Sequence, residues 1–206
     1  MRPCLRRSRK FWANLRGWFL GFKRELATAI KGIFPTLHVH SLSQPLMLSI
    51  TAVLHTENDA MRVGRALETL YPCDDIFIVD HGSRDGTVQI AREYGARVVT
   101  AKAGESPDHY LRFAPPGWIL CLDPHESLTE SLAASLYEWK SLSSHASASP
   151  AFAVFLREET AEGWVEVPAA QTRLVPPSWH RWNGRFPAHE PSALALEGEL
   201  LRFVFP

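Results

Sequence analysis

Two aspartates stand where apolar runs end. Asp80 follows Ile76–Val79, and Asp123 follows Trp118–Leu122. A carboxylate at the end of a buried strand is costly unless it meets a ligand, a cation or a helix N-terminus. One such Asp says little; two in one sheet, each followed by a turn, point to a binding edge. After Asp80 comes His81-Gly82-Ser83-Arg84-Asp85-Gly86, a loop in which Ser83 or Asp85 can cap the next helix. Farther along, Arg173 sits in an apolar strand context, which suits either a diphosphate or acceptor group or a surface ion pair. His189 and Glu190 are adjacent and read either as a functional pair or as a core histidine with a neighbouring acid.

The elements that position these residues alternate. Met47–His55 is a β-rich apolar run, and Asn58–Leu70 has a helical apolar face. Ile76–Val79, Arg97–Thr100 and Trp118–Leu122 read as further strands. Thr87–Tyr94 and Leu128–Lys140 read as helices, the second capped near Ser127 or Thr129. Strand and helix in alternation imply an α/β fold with a parallel, Rossmann-like sheet covered by helices. Ligands bind such sheets beyond the carboxyl ends of the strands, where Asp80 and Asp123 fall. Ser141–Pro150 reads as a loop, and Ala151 to Pro206 as short strands with Pro and Gly turns. Cys121, inside an apolar strand, reads as buried packing. Trp164, Trp179 and Trp182 read either as core or as platforms for sugar rings.

The chain has 206 residues, 46% hydrophobic and 21% charged, so it can bury a real core and is not a disordered or fibrous chain. Its three cysteines are too few and too scattered for a disulfide framework or a four-thiolate zinc site. Net charge is zero but uneven. Residues 1–34 hold nine Lys/Arg against Glu25 alone, leaving 13 basic and 21 acidic residues in the rest. An acidic body repels phosphates, so no nucleic-acid partner is expected. In 1–34, Phe11, Leu15, Trp18, Phe22, Leu26, Ile30 and Ile33 recur at helical spacing among cations. That pattern reads as an amphipathic helix on an anionic membrane surface, or as a helix packed on its own domain. No stretch approaches the roughly 20 apolar residues of a membrane span. Residues 35–46 read as a linker, and 47–206 as the main domain.

Several blocks resemble family 2 glycosyltransferases, in order and at about the family's spacing. They are Thr56-Glu57-Asn58-Asp59, Gly64 to Leu70, Ile78 to Thr87 and Ala91 to Ala96. Trp118 to Glu126 is similar to the family's W-x-L-x-L-D-A-D-E. Gln171-Thr172-Arg173-Leu174 and His189-Glu190 resemble motifs of bacterial lipopolysaccharide-core glucosyltransferase-like members. The resemblance covers residues 47–200. It implies an A-type glycosyltransferase fold, with a nucleotide-sugar-binding half (47–140) and an acceptor-side half (151–206). It implies a nucleotide-sugar donor, with Thr56, Asn58, Asp80, Ser83 and Asp123 around it. It also implies a divalent metal at Asp123, beside the donor diphosphate. The acceptor it implies is lipid- or glycan-linked, on the cytoplasmic face of the cell membrane, in cell-envelope glycan synthesis.

This sequence departs from the family pattern at two telling places. His125 replaces the second Asp of D-x-D; imidazole ligates Mn2+ better than Mg2+, so Mn2+ is the expected ion. Ala169 stands where the family has an Asp, so Glu166, Glu158 and Glu190 become the candidates for the base that deprotonates the acceptor. Glu126 is equally a metal ligand or a support for one. The rival reading is a degenerate, non-catalytic nucleotide-sugar-binding or scaffold module. A nucleotidyltransferase is disfavoured, because His55–Arg62 holds neither the Gly nor the Lys of a phosphate loop.

Overall fold

The computed structural model describes residues 48–102, 104–141 and 149–205. The expected helix in 1–34 and the linker 35–46 lie outside the described residues, as does most of the loop expected at 141–150. The centre of the molecule is β1 (Ile50–Thr56), in which all seven residues are buried. Burial on both sides explains why this run is apolar without alternation. Its neighbours are parallel: β2 (Asp75–Asp80) on one side and β4 (Trp118–Leu122) on the other, with β3 (Arg97–Thr100) beyond β2. Ile50, Ala52 and Leu54 face a core with α1 (Val63–Glu68), α2 (Thr87–Glu93) and α4 (Glu130–Ser141). Val53, Phe77 and Val79 face a second core with Tyr110 of α3 (Pro107–Leu111).

The chain thus winds outward through β1, β2 and β3 with helices on one face, then returns over the other face to β4. The winding direction reverses between β1 and β4, the place where open α/β sheets bind ligands. Six of the seven strands and helices expected up to Lys140 hold within a few residues. Three features of the structure differ from the expectation. The helix expected from Asn58 begins only at Val63, because residues 57–62 are held as a turn. Asp59 Oδ2 accepts from the Glu57 amide at 2.8 Å, and Asp85 Oδ2 accepts from the Ala60 amide at 3.0 Å. The short helix α3 sits inside 103–116. The third difference is the C-terminal region, which forms long strands instead of short ones: β6 (Phe152–Thr160), β7 (Gly163–Val175) and β10 (Leu194–Arg202).

These strands extend the same sheet in the order β3-β2-β1-β4-β7-β6-β10-β5, where β5 is Glu126–Leu128. Four strand spacings, about 19 Å, separate β4 from β5 along a flat sheet. Yet only residues 123–125 join them, a reach of about 14 Å. The sheet therefore curls until its far edge returns to the end of β4. A two-stranded hairpin, β8 (Trp182–Asn183) and β9 (Phe186–Pro187), lies outside it. Trp182 Nε1 ties that hairpin to α3 by donating to Asp108 Oδ1 at 2.8 Å.

Candidate functional site

At the β1/β4 reversal, three titratable side chains meet. His125 Nε2 is 3.2 Å from Asp59 Oδ1, and His125 Nδ1 is 3.7 Å from Asp123 Oδ1. The imidazole bridges the loops after β1 and β4 and stays about one-third exposed. Asp123 also accepts from the His125 amide at 3.0 Å, which closes a tight turn over Pro124. Asp59 belongs to the motif Thr56–Asp59, but nothing in the sequence singled it out, because its partner is 66 positions away.

Next to this crevice, Asp80 organises the loop after β2 from within. Its Oδ1 accepts from Thr56 Oγ1 at 3.1 Å and Ser83 Oγ at 2.5 Å. Its Oδ2 accepts from the Gly82 and Ser83 amides at 3.1 and 3.0 Å. Ser83 Oγ in turn accepts from the Asn58 amide at 2.9 Å, and Asn58 Oδ1 accepts from the Arg84 amide at 2.8 Å. Asn58 holds φ +60°, which Asn tolerates better than most residues. The structure thus brings Thr56, Asn58, Asp80 and Ser83 together as one hydrogen-bonded loop cluster. Neither Ser83 nor Asp85 is the N-cap of α2, which is Gly86 without a side-chain cap; Asp85 Oδ1 accepts from the amide of the first helical residue, Thr87, at 3.0 Å.

A second polar line runs from the core to this edge. Tyr110 Oη lies 3.2 Å from His55 Nε2, and His55 Nδ1 lies 3.0 Å from His81 Nε2. The two imidazoles stack with centroids 5.3 Å apart. Burial, then the charges of His81 and Arg185, push His55 down to about 3. It is neutral at pH 7, so one ring nitrogen donates and the other accepts. Burial and Arg185 also lower His81, and burial raises the Tyr110 hydroxyl. Arg185 is at the tip of the β8–β9 hairpin, 3.8 Å from Glu57.

Below Asp123 lies Glu126, which is wholly buried. Its Oε1 accepts from Arg173 Nη2 and Arg202 Nη2, each at 2.8 Å, and its Oε2 accepts from the Asp123 amide at 2.9 Å. Glu126 is therefore a buried anchor for the Asp123 turn. Arg173 is 1% exposed, donates to the Cys121 carbonyl at 3.2 Å and to Gln171 Oε1 at 2.7 Å, and packs on the Phe186 ring. It reaches the site through Glu126 and not as an open cation. Neither Arg202 nor Tyr110 carried a sequence signal.

The expected carboxylates do not gather at the crevice. Glu166 is exposed on β7, five residues and about 17 Å along the strand from Gln171. Glu158 pairs with Arg202 at 3.3 Å. The Glu190 amide donates to Thr172 Oγ1 at 3.0 Å, and its carboxylate is taken by Arg181 and by Ser192. His189 is exposed. Two cavities, of about 520 and 300 Å3, lie elsewhere, around Phe155 and Glu199. We place the site at the strand ends because the titratable groups converge there, not at those cavities.

No family model matches the chain. It is 34% identical over 91 residues to an uncharacterized glycosyltransferase of Rickettsia felis, covering 42% of this chain and 32% of that protein. An uncharacterized glycosyltransferase of Rickettsia bellii is 32% identical over 96 residues, covering 44% and 32%. The chain thus spans about a third of the length of the curated relatives it matches. Among solved structures, the mannosyl-3-phosphoglycerate synthase of Rubrobacter xylanophilus is 24% identical with a TM-score of 0.38, covering 54% of this chain and 39% of that one.

Donor chemistry at the crevice suits a divalent cation: carboxylate oxygen from Asp123 and imidazole nitrogen from His125. Among the described residues no three acidic, His or Cys groups form a ready cage. Mg2+-type sites that use one or two carboxylates and complete their shell with substrate phosphates need no such cage. His125 Nδ1 faces Asp123 while Nε2 contacts Asp59, so the ring can ligate through Nδ1 with Asp59 holding its other nitrogen.

Proposed function

We propose that this chain binds a nucleotide sugar at the β1/β4 crevice and transfers the sugar to a lipid- or glycan-linked acceptor. The observation that carries this reading is the convergence of the Thr56–Asp59, Asp80–Ser83 and Asp123–His125 loops at the reversal point of the sheet. The two Rickettsia relatives support it. In this reading the Asp80 cluster shapes the nucleoside end, and Asp123 with His125 takes a divalent ion, Mn2+ in preference to Mg2+. When bound, that ion neutralises the departing diphosphate. Transfer forms a bond from the acceptor oxygen to the sugar carbon, breaks the bond from that carbon to phosphate, and sends the acceptor proton to a carboxylate. Glu190, whose amide is held by Thr172 Oγ1, is one candidate and would have to release Arg181. The basic segment 1–34 would hold the protein on the cytoplasmic membrane face for envelope glycan synthesis. Among the described residues, no helix is long and apolar enough to cross a membrane.

A second reading, a nucleotide-sugar-binding module without turnover, is favoured by one observation: of the three candidate bases, Glu158 and Glu190 are ion-paired and Glu166 stands exposed on β7, about 17 Å along the strand from Gln171. A thermal-shift panel of nucleotide sugars, with and without Mn2+ or Mg2+, tests the binding that both readings share. A ligand at 100 times its Kd stabilises by about 2.7 kcal/mol, or roughly 5–10 °C for a chain this size. Asp123→Ala should remove the metal-dependent part, and His125→Asp should shift preference toward Mg2+. No shift with any nucleotide sugar refutes both readings; binding without donor hydrolysis selects the second.

A further inference from the structure

We propose that Arg202, at the end of β10, is the positioning residue of the Asp123 turn. This inference rests on the functional reading above only for what the turn binds.

The turn from Asp123 to Glu126 is accounted for group by group. The Asp123 amide donates to Glu126 Oε2 at 2.9 Å, and the Asp123 carbonyl accepts from the Glu126 amide at 2.9 Å. The His125 amide donates to Asp123 Oδ1 at 3.0 Å, and the His125 carbonyl accepts from the Phe203 amide at 2.9 Å. Pro124 has no N–H and a fixed φ. Asp59 steadies the imidazole from outside the turn, and the backbone of the turn rests on the Glu126 carboxylate and on β10. Arg202 serves both. It lies opposite Glu126 in the β5–β10 register, and its Nη2 shares Glu126 Oε1 with Arg173. A wholly buried carboxylate is costly unless hydrogen-bonded cations offset its lost hydration. Arg173 alone supplies one guanidinium and is already divided among Cys121, Gln171 and Glu126. Arg202 supplies the second and brings the Phe203 amide to the His125 carbonyl. Its side chain is 30% exposed, so its own replacement is tolerable, whereas losing Glu126 would strand two cations.

The test uses the full chain and its Arg202→Met and Arg202→Lys variants. Amide hydrogen exchange is followed by NMR at Asp123, with Val53 in β1 as the reference. Arg202→Met should speed exchange at Asp123 at least tenfold while Val53 changes less than twofold, and Arg202→Lys should restore most of the protection. Unchanged exchange at Asp123, or equal acceleration at both amides, overturns the proposal. UDP titration with Mn2+ forms a separate arm, expected to show about tenfold weaker binding for Arg202→Met. Should the wild-type chain bind no nucleotide, the functional reading fails while the exchange result still decides the role of Arg202.

Discussion

Acidification should destabilise this protein through His55. The ring is buried between Tyr110 and His81, and its protonation is held down to about 3 against an ordinary value of 6.5. Between those two values the unfolded chain binds a proton that the folded chain refuses. Stability therefore rises with pH in that window and is lost as pH falls below about 6.5. From pH 7 to pH 5 the unfolded state gains about 2 kcal/mol from this one ring. That corresponds to a drop in Tm of roughly 4–8 °C for a chain of this size. His81, lowered for similar reasons, adds in the same direction. Most carboxylates titrate below pH 5, so the window isolates histidines. His55→Gln keeps a donor and an acceptor without the titration. Calorimetry of both proteins at pH 7, 6 and 5 should show a less stable variant at pH 7 whose further decline is shallower by about 2 kcal/mol. Parallel declines would refute the reasoning.

Other substitutions probe separate parts of the molecule. Gly198 adopts φ +88°, and a Cβ there would run into the backbone of Ser131 and Leu132. Gly198→Ala should therefore destabilise by about 1–3 kcal/mol in urea unfolding, with the Asp123 turn as the first place to look for a secondary effect. Asp80→Ala strips four hydrogen bonds, two of them from backbone amides. It should cost about 1–3 kcal/mol of stability and weaken nucleotide binding by loosening the loop, whereas equal nucleotide affinity in both proteins would remove the loop from the site. Deleting residues 1–34 should abolish co-sedimentation with anionic vesicles; a full chain that ignores such vesicles at low salt sinks the membrane proposal.

The parallel part of the sheet was legible because its strands are continuous apolar runs ended by Asp80 and Asp123. Those ends are where a buried strand meets water, so the crevice could be placed before any coordinates. The curl was not legible. Phe152–Thr160 and Leu194–Arg202 are half exposed, so their patterns fade, and the bulge at Gly198 breaks the alternation. The role of Glu126 was hidden for a related reason. Whether a carboxylate next to a metal motif ligates or anchors depends on which cations reach it. Both cations lie far along the chain, Arg173 at 47 positions and Arg202 at 76. Asp80 shows the reverse case: its position was readable, but its engagement by four donors depends on the loop closing around it.

The place of β10 in the sheet has a consequence for the order of assembly. Although it follows the other described strands, it lies between β6 and β5 and is, among the described residues, the one pairing partner of β5. A growing chain leaving the ribosome can complete β1 through β4 and even the β6–β7 ladder while this slot is vacant. The Asp123 turn can mature fully only when Arg202 and Phe203 emerge, because they complete the support that Asp59 and Arg173 begin. Closing a gap of more than 70 residues is a slow, non-local step. Pulse-labelled exchange during refolding should thus find the Asp123 amide protected no earlier than that of Leu200, and well after those of β1. The crevice would then take its final shape only when β10 has paired with β5.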